Sequence, residues 1–466
     1  MAVTRVAMAT AGRRWGGGGM TTNMAERSRT AETGSAMGSD DIIAGNVSKY
    51  IVLPAGYCGQ PKKGHLIFDA CFESGNLGRV DHVTEFEYDL FIRPDTCNPR
   101  FRVWFNFTVE NVKESQRVIF NVVNFSKTKS LYRDGMAPMV KSTSRPKWQR
   151  IPSKNVYYYR CPDHRKNYVM SFAFCFDRED DTFQFAYCYP YTYTRLQHYL
   201  DNLQRRNMDY FCRELLGLSV QKRRLDLLTI TSPANLRPGA EQKVVFITAR
   251  VHPGETPSSF VCQGIIDFLV SHHPVAKVLR DHLVFKIAPM LNPDGVYLGN
   301  YRCSLLGFDL NRHWANPSPW AHPTLHGVKE LIIDMYNNPK INLEFYIDIH
   351  AHSTMMNGFM YGNIFEDEER FQRQAVFPKL LCQNAEDFSY TTARSTSCSG
   401  SALLLARRTE VPSGGTDPWN HPQAQWWELE KQDKIVGEKS SVRSHPQPLL
   451  DLTGRISAEV KTVISV

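Results

Sequence analysis

The sequence has no cysteines at the Cys-x-x-Cys spacing, although it contains 11 cysteines in 466 residues. The count is odd and the positions are scattered, so we expect no disulfide framework and a reducing, cytoplasmic compartment. Cys175 lies within Phe-Ala-Phe-Cys-Phe, where we expect the thiol to pack as a small hydrophobic group. No apolar run approaches the length of a bilayer span, so the sequence predicts no membrane span.

A strong excess of charge is also missing. Lys and Arg number 55 and Asp and Glu number 47, which gives a net charge of +8. This balance permits an acidic partner without requiring one. Hydrophobic residues make up 42% of the chain, which excludes a wholly disordered protein and is ample for a sizeable core.

The first segment, residues 1–45, is poor in acidic residues and has no apolar targeting core. Its first acidic residue is Glu26, and Ala, Gly, Ser and Thr dominate its composition. An organelle transit peptide has a similar composition, but no clear amphipathic stripe accompanies it here. We therefore predict a disordered N-terminal tail.

Residues 46–194 carry five aromatic runs with largely alternating polarity, separated by turn residues. The runs are Phe86–Ile92, Phe101–Val109, Val118–Phe125, Tyr168–Phe176 and Phe183–Tyr189. Such period-two patterns predict an antiparallel β-sandwich. The runs lack interleaved Lys and Arg, so we interpret their aromatics as core residues and expect no nucleic-acid partner.

From residue 195 the pattern changes to strands alternating with helices, which predicts a mixed α/β sheet covered on both faces. A helix is expected from near Glu255, with Pro257 in its first turn, and another from about Leu325 to before Asn337. The predicted strands are Leu225–Thr231, Lys243–Thr248, Leu283–Leu291 and Leu343–His350. Strand periodicity ends near residue 390, and we predict that most of residues 391–466 is disordered.

Two strand ends carry candidate metal ligands. One strand leads into His252-Pro-Gly-Glu255, and another ends in Asp348-Ile-His350-Ala-His352. Two histidines and a glutamate are a standard ligand set for catalytic zinc, and open α/β sheets place their sites at the carboxyl ends of strands. His350 and His352 lie on the same side of an extended strand, so spacing alone does not choose between them.

Between these elements lie candidate substrate-binding residues. Arg302 follows a turn, and Asn311-Arg312 lies in Phe-Asp-Leu-Asn-Arg-His-Trp. Guanidinium groups bind carboxylates bidentately, and an arginine near a metal can stabilise an oxyanion. The pattern indicates recognition of a terminal carboxylate.

Together these motifs resemble the cytosolic carboxypeptidases, zinc metallocarboxypeptidases that remove glutamates from tubulin. The resemblance covers about Gly45 to Tyr390 and includes His252-Pro-Gly-Glu-Thr-Pro-Ser-Ser and Asn292-Pro-Asp-Gly. It implies a β-sandwich before an α/β zinc carboxypeptidase domain at residues 195–390, one zinc ion, and polyglutamylated tubulin or other acidic tails as partners. It also implies the cytosol as location, with microtubules or the centriole as sites there.

The resemblance further implies a role for each candidate residue. It makes His252, Glu255 and His350 the zinc ligands. His350 is preferred to His352 because the family's ligand is the first histidine after Asp-x. The resemblance makes the adjacent Asn311 and Arg312 the clamp on the substrate carboxylate. Arg302 would polarise the scissile carbonyl and so take part in catalysis.

The chain departs from the family pattern after about Thr391. The family places a general-base glutamate on a Tyr-Thr-Leu-Glu-like strand there, and the nearest imitation in this chain is the Trp-Trp-Glu-Leu-Glu segment containing Glu428 and Glu430. We therefore expect an incomplete catalytic domain, lacking its last strand and helix, as in a splice variant or a frame-shifted sequence. This departure predicts either an enzyme with impaired activity or a zinc-binding protein that only binds acidic tails. A small-molecule amidohydrolase on the same scaffold is a third alternative, against which the sandwich domain and the Asn311-Arg312 pair argue.

Overall fold

The N-terminal part of the protein consists of two β-sheets that pack face to face. The computed structural model describes residues 45–164, 167–354, 358–360, 362–363, 368–385, 388 and 426–427. The strands of this part are β1 Tyr50–Ile51, β2 Ile67–Asp69, β3 Arg79–Thr84, β4 Glu87–Phe91, β5 Asn106–Glu110, β6 Arg117–Phe125, β7 Met139–Ser142, β8 Gln149–Arg150, β9 Val156–Arg160, β10 Tyr168–Cys175 and β11 Phe183–Ala186.

One sheet has the strand order β1-β2-β5-β11-β7-β8, and the other has the order β3-β4-β6-β10-β9. The antiparallel sandwich predicted from the sequence is confirmed, although β4 and β6 pair in parallel within it. Aromatic side chains from both sheets meet between them: Phe120 lies 5.4 Å from Phe172 and 5.5 Å from Phe185, centroid to centroid. All three are fully buried, so the alternating aromatics form the core of the sandwich.

The C-terminal part alternates helices with strands. Its elements are α1 Tyr193–Arg205, β12 Phe211–Leu218, β13 Arg224–Ile230, β14 Gln242–Ala249, α2 Thr256–Leu269, α3 Pro274–His282, β15 Val284–Ala288, α4 Pro293–Leu298, α5 Pro323–Asn337, β16 Ile341–Ile349, β17 Gly362–Asn363, α6 Glu368–Asn384 and β18 Trp426–Trp427. The sheet has the order β12-β13-β15-β14-β16, with β17 and β18 forming a separate antiparallel pair.

Helices cover both faces of this mixed sheet, as the sequence predicts. Alternate residues of β14 face opposite ways: Val245 and Ile247 pack in a cluster with α1, α2 and α3. Val244 and Phe246 pack in a second cluster, which contains the apolar face of α5. A strand buried on both faces accounts for its nearly continuous apolar sequence.

One sequence expectation is wrong, and two elements of the fold were not predicted. Cys175 does not pack as a core residue, because it ends β10 with an exposed side chain. The strand β12 and the helix α1 were not predicted, since Arg213 and Glu214 interrupt the apolar pattern of β12. The ten described cysteines are free thiols.

Residues 1–44 of the predicted N-terminal tail and all of the predicted C-terminal segment except β18 lie outside the described residues, and the domain boundaries remain predictions.

Candidate metal centre and its surroundings

The topology of the sheet brings the two predicted metal-binding motifs to one edge. β14 and β16 are adjacent and parallel, with Ala249 paired to Ile349 at their carboxyl ends. The chain after β14 therefore starts beside the chain after β16, although about a hundred residues separate them. His252 and His350 follow these strand ends directly, which is how the fold places them together.

His252, Glu255 and His350 form one cluster of potential metal ligands. One ligand atom from each lies within 4.8 Å of the others. His252 Nδ1 is 2.9 Å from Glu255 Oε1, and His350 Nδ1 is 3.2 Å from Glu255 Oε2. An ion with ligands at about 2.0–2.2 Å requires ligand atoms at roughly such separations. His352 is not part of this cluster; its Nδ1 lies 3.3 Å from the hydroxyl of Thr354.

The surroundings of His252 Nδ1 indicate whether these residues suit a metal. His252 is 3% exposed, and its Nδ1 has no hydrogen-bond partner although Glu255 Oε1 is close, because the geometry is not that of a hydrogen bond. Buried polar atoms without partners are rare and call for an explanation such as an ion. A nitrogen lone pair beside a carboxylate and a second imidazole fits zinc.

A carboxylate contacts the other nitrogen of each histidine. His252 Nε2 is 3.1 Å from Asp309 Oδ1, and His350 Nε2 is 2.7 Å from Asp348 Oδ2. Such outer carboxylates fix the imidazole tautomer and strengthen the histidine as a ligand. With each Nε2 facing an outer carboxylate, both Nδ1 atoms lie on the side of Glu255.

The electrostatics of the protein groups favour charged forms at this edge. Burial alone would raise the pKa of Glu255, but His252 and His350 outweigh it and hold that pKa well below its ordinary value. Burial would lower the pKa of His350, whereas Asp348 and Glu255 raise it well above normal. Burial would lower the pKa of Arg302, but Asp309 and Glu255 outweigh it and raise that pKa above its ordinary value. An ionised Glu255 is the form that ligates a cation, whereas His350 ligates as the neutral imidazole, so binding of a metal would displace its proton.

The three predicted substrate-binding residues lie within residues 302–312, and each forms a hydrogen bond to Asp309. Arg302 Nε donates to Asp309 Oδ2 at 2.7 Å. Asn311 is 3% exposed, and its Oδ1 accepts from Trp314 Nε1 at 2.8 Å, but its buried Nδ2 has no partner. The side chain of Arg312 donates to the Asn311 carbonyl, and the residue is exposed. Two guanidinium groups and an unsatisfied amide donor thus lie within a short stretch of chain.

Sequence reasoning missed several residues at this edge. Asp309 and Asp348 lie within the sequence motifs, but the motifs alone indicated no role for them. For Asp348 the available signal is its position two residues before His350, on the same side of the strand. Sequence reasoning also missed Lys127 of the sandwich, whose Nζ lies 2.7 Å from the hydroxyl of Tyr301. Only tertiary packing brings that lysine here, so no local signal could have identified it.

A mixed α/β sheet with a His–Glu–His cluster at its carboxyl edge is the arrangement expected of a zinc carboxypeptidase. The profile of the family described as "Zinc carboxypeptidase" matches residues 196–433, and that of the "Cytosolic carboxypeptidase N-terminal domain" matches residues 68–188. The first match extends past Thr391, where the resemblance was expected to stop. The chain belongs to the cytosolic carboxypeptidase family of zinc carboxypeptidases.

Individual relatives agree with this assignment. The chain is 87% identical to human cytosolic carboxypeptidase 6 over 370 residues, which cover 79% of this chain and 74% of the relative. It is 53% identical to cytosolic carboxypeptidase 6 of Caenorhabditis elegans, over 71% of this chain and 72% of the relative. The metallo-carboxypeptidase of Burkholderia cenocepacia has the same fold, with a TM-score of 0.62, 21% identity, and coverage of 86% of this chain and 99% of that structure. In the described part of the chain, no helix is both long and apolar enough to cross a membrane.

Proposed function

We propose that this protein is a zinc-dependent carboxypeptidase that removes glutamates from polyglutamylated protein tails, including those of tubulin, at C-terminal or side-chain-linked positions. Its relatives are named cytosolic carboxypeptidases. The proposed location is accordingly the cytosol, including the microtubules and centriole where such tails occur. The observation that carries the substrate proposal is the buried, unpartnered Asn311 Nδ2, in the segment that also contains Arg302 and Arg312, because a carboxylate satisfies such donors.

The proposed roles follow from chemistry and position. His252, Glu255 and His350 hold the zinc ion, which when bound supplies Lewis-acid polarisation and activation of water. Asn311 and Arg312 bind the α-carboxylate of the terminal residue and orient it. Arg302 remains charged beside Asp309 and stabilises the negative charge that develops on the scissile carbonyl oxygen.

A second candidate function is binding of acidic tails with little hydrolysis. The three carboxylates near the two histidines already have partners. Glu255 contacts His350 and the backbone N–H of Ala351, Asp309 contacts His252 and Arg302, and Asp348 contacts His350 and Thr248. None of them is proposed as the general base, a group that contributes about 10²–10⁴-fold to rate. Glu428 and Glu430 lie outside the described residues.

The test is glutamate release from a polyglutamylated peptide by the zinc-loaded full chain, with His252→Ala as the control. Release that His252→Ala abolishes supports the carboxypeptidase. Calorimetric binding of the same peptide is measured beside it, and Asn311→Asp should weaken binding at least 10-fold because an anion replaces the amide donor. Binding that depends on Asn311 without release would assign the second function, and absence of both would refute the proposal.

A further inference from the structure

The loop that carries Arg302 is held by a carboxylate from the β-sandwich. Asp95 Oδ1 accepts the backbone N–H of Tyr301 at 2.7 Å, and Asp95 Oδ2 accepts those of Arg302 at 2.7 Å and Cys303 at 2.8 Å. Asp95 is 3% exposed, although more than two hundred residues separate it from this loop. One side chain therefore satisfies three consecutive backbone donors around the proposed catalytic arginine.

Other sandwich residues bind the residues of this loop that precede Arg302. Asn76 Nδ2 donates to the carbonyl of Gly299 at 2.9 Å, and both the N–H and the hydroxyl of Thr96 donate to Asn300 Oδ1. The ring of Tyr301 is 6% exposed and belongs to the aromatic core of the sandwich. The loop is thus built into the sandwich, while it projects from the α/β part of the chain.

The loop also contacts the metal-binding turn. Gly254, between His252 and Glu255, donates its N–H to the carbonyl of Tyr301 at 2.7 Å. Arg302 reaches Asp309, and Asp309 reaches His252 Nε2. A continuous chain of short contacts therefore runs from Asp95, through the backbone of residues 301–303, to the proposed zinc ligand.

A carboxylate is the group that this arrangement requires. The three N–H groups converge on Asp95, and buried backbone donors need acceptors. Two carboxylate oxygens can accept all three bonds. An asparagine of the same shape would turn an NH₂ group toward at least one of these donors, because only one of its two terminal atoms accepts hydrogen bonds.

We propose that Asp95 is a positioning residue of the carboxypeptidase site, which fixes the backbone of residues 301–303 and thereby the guanidinium of Arg302 and its partner Asp309. The sandwich domain then contributes directly to the geometry of the active site. This inference rests on the proposed function only for the role of Arg302.

The experiment compares Asp95→Asn with Asp181→Asn in the zinc-loaded full chain. Asp181 is a matched control, since it is a buried carboxylate of the same sandwich with three hydrogen bonds, from Thr143 Oγ1 and from the N–H and hydroxyl of Ser144. Hydrogen exchange is followed by mass spectrometry in peptides covering residues 297–307. We expect exchange there to rise at least 10-fold in Asp95→Asn and to remain as in the wild type in Asp181→Asn.

A second arm tests whether Asp95 acts through Arg302. Binding of a triglutamate peptide is measured by calorimetry for Asp95→Asn, Arg302→Ala and the double variant. We expect Asp95→Asn to weaken binding at least 10-fold in the wild-type background but less than 2-fold in the Arg302→Ala background. The visible absorption of the cobalt-loaded protein should change in Asp95→Asn and not in Asp181→Asn, because the perturbation reaches His252 through Asp309.

Equal exchange in the two aspartate variants, or equal effects of Asp95→Asn in both backgrounds, would overturn the proposal. If Asp95→Asn does not fold, Thr96→Val removes a single hydroxyl bond to Asn300 and should give a smaller rise in exchange over residues 297–307; no rise there would count against the proposal. A wild-type chain that neither binds nor cleaves the peptide refutes the proposed function, while the exchange result still decides the role of Asp95.

Discussion

Adding one methyl group at Gly254 should disturb the metal centre without touching a ligand. A Cβ at this position would lie 2.4 Å from Tyr301 Cδ2 and 2.9 Å from the Tyr301 carbonyl oxygen. Tyr301 cannot easily retreat, because its ring is buried in the sandwich core and its carbonyl accepts the Gly254 N–H. The metal-binding turn must therefore move instead.

The size of the effect follows from the contact distances. Ordinary carbon contacts begin at about 3.5 Å, so the turn must shift by roughly 1 Å. Overpacking of this kind typically costs about 1–3 kcal/mol of folding free energy. Because His252 and Glu255 flank Gly254, we expect zinc affinity to fall at least 10-fold in Gly254→Ala.

The assay is competition for zinc with a chromophoric chelator, with thermal unfolding measured in parallel. Gly327→Ala is the matched control: its Cβ would meet only the Leu216 carbonyl oxygen at 3.7 Å and Leu216 Cγ at 3.9 Å. Gly327 lies inside α5, where alanine is favoured over glycine by about 0.5–1 kcal/mol. Wild-type zinc affinity and unfolding temperature in Gly254→Ala would refute the packing argument.

Two further predictions concern carboxylates. Asp309→Asn should lower zinc affinity by about 10–100-fold, since Asp309 orients His252; the same competition assay checks this, and unchanged affinity would contradict the outer-carboxylate role. Burial favours protonated Asp181, but hydrogen bonds from Ser144 and Thr143 outweigh it and lower its pKa from 3.8 to about 2. Its stabilisation is therefore complete above about pH 4 and is lost as the pH falls toward 2, so the difference in urea midpoint between the wild type and Asp181→Asn should shrink over that window. A constant difference would show that Asp181 contributes nothing through its charge.

Local pattern was enough to predict the two kinds of sheet. The alternation in Val118–Phe125 places every second side chain on one face, and Phe120 is indeed buried in the sandwich. The alternation of strands with helices after residue 195 predicted a sheet covered on both faces, and Val244–Ile247 of β14 are all buried. The prediction failed where the pattern was mixed, as in β12, because the packing of neighbouring elements, rather than alternation, decides such a strand.

The candidate ligands could be selected from the sequence because metal chemistry restricts residue type and because sheet topology restricts position. His252 and Glu255 follow one strand, and His350 and His352 end another. Spacing left the last two equivalent. The structure places His350, and not His352, beside His252 and Glu255. Asp348 contacts the Nε2 of His350.

The sequence by itself determined the residue types at the strand ends and the family to which the chain belongs. Residue types and the motifs that carry the family resemblance can be read along the chain itself. Only the tertiary structure decided which distant groups support those residues: Asp95 binds the backbone around Arg302, and Lys127 reaches Tyr301. Contacts over such separations depend on how the sandwich packs against the α/β part, which no local pattern encodes.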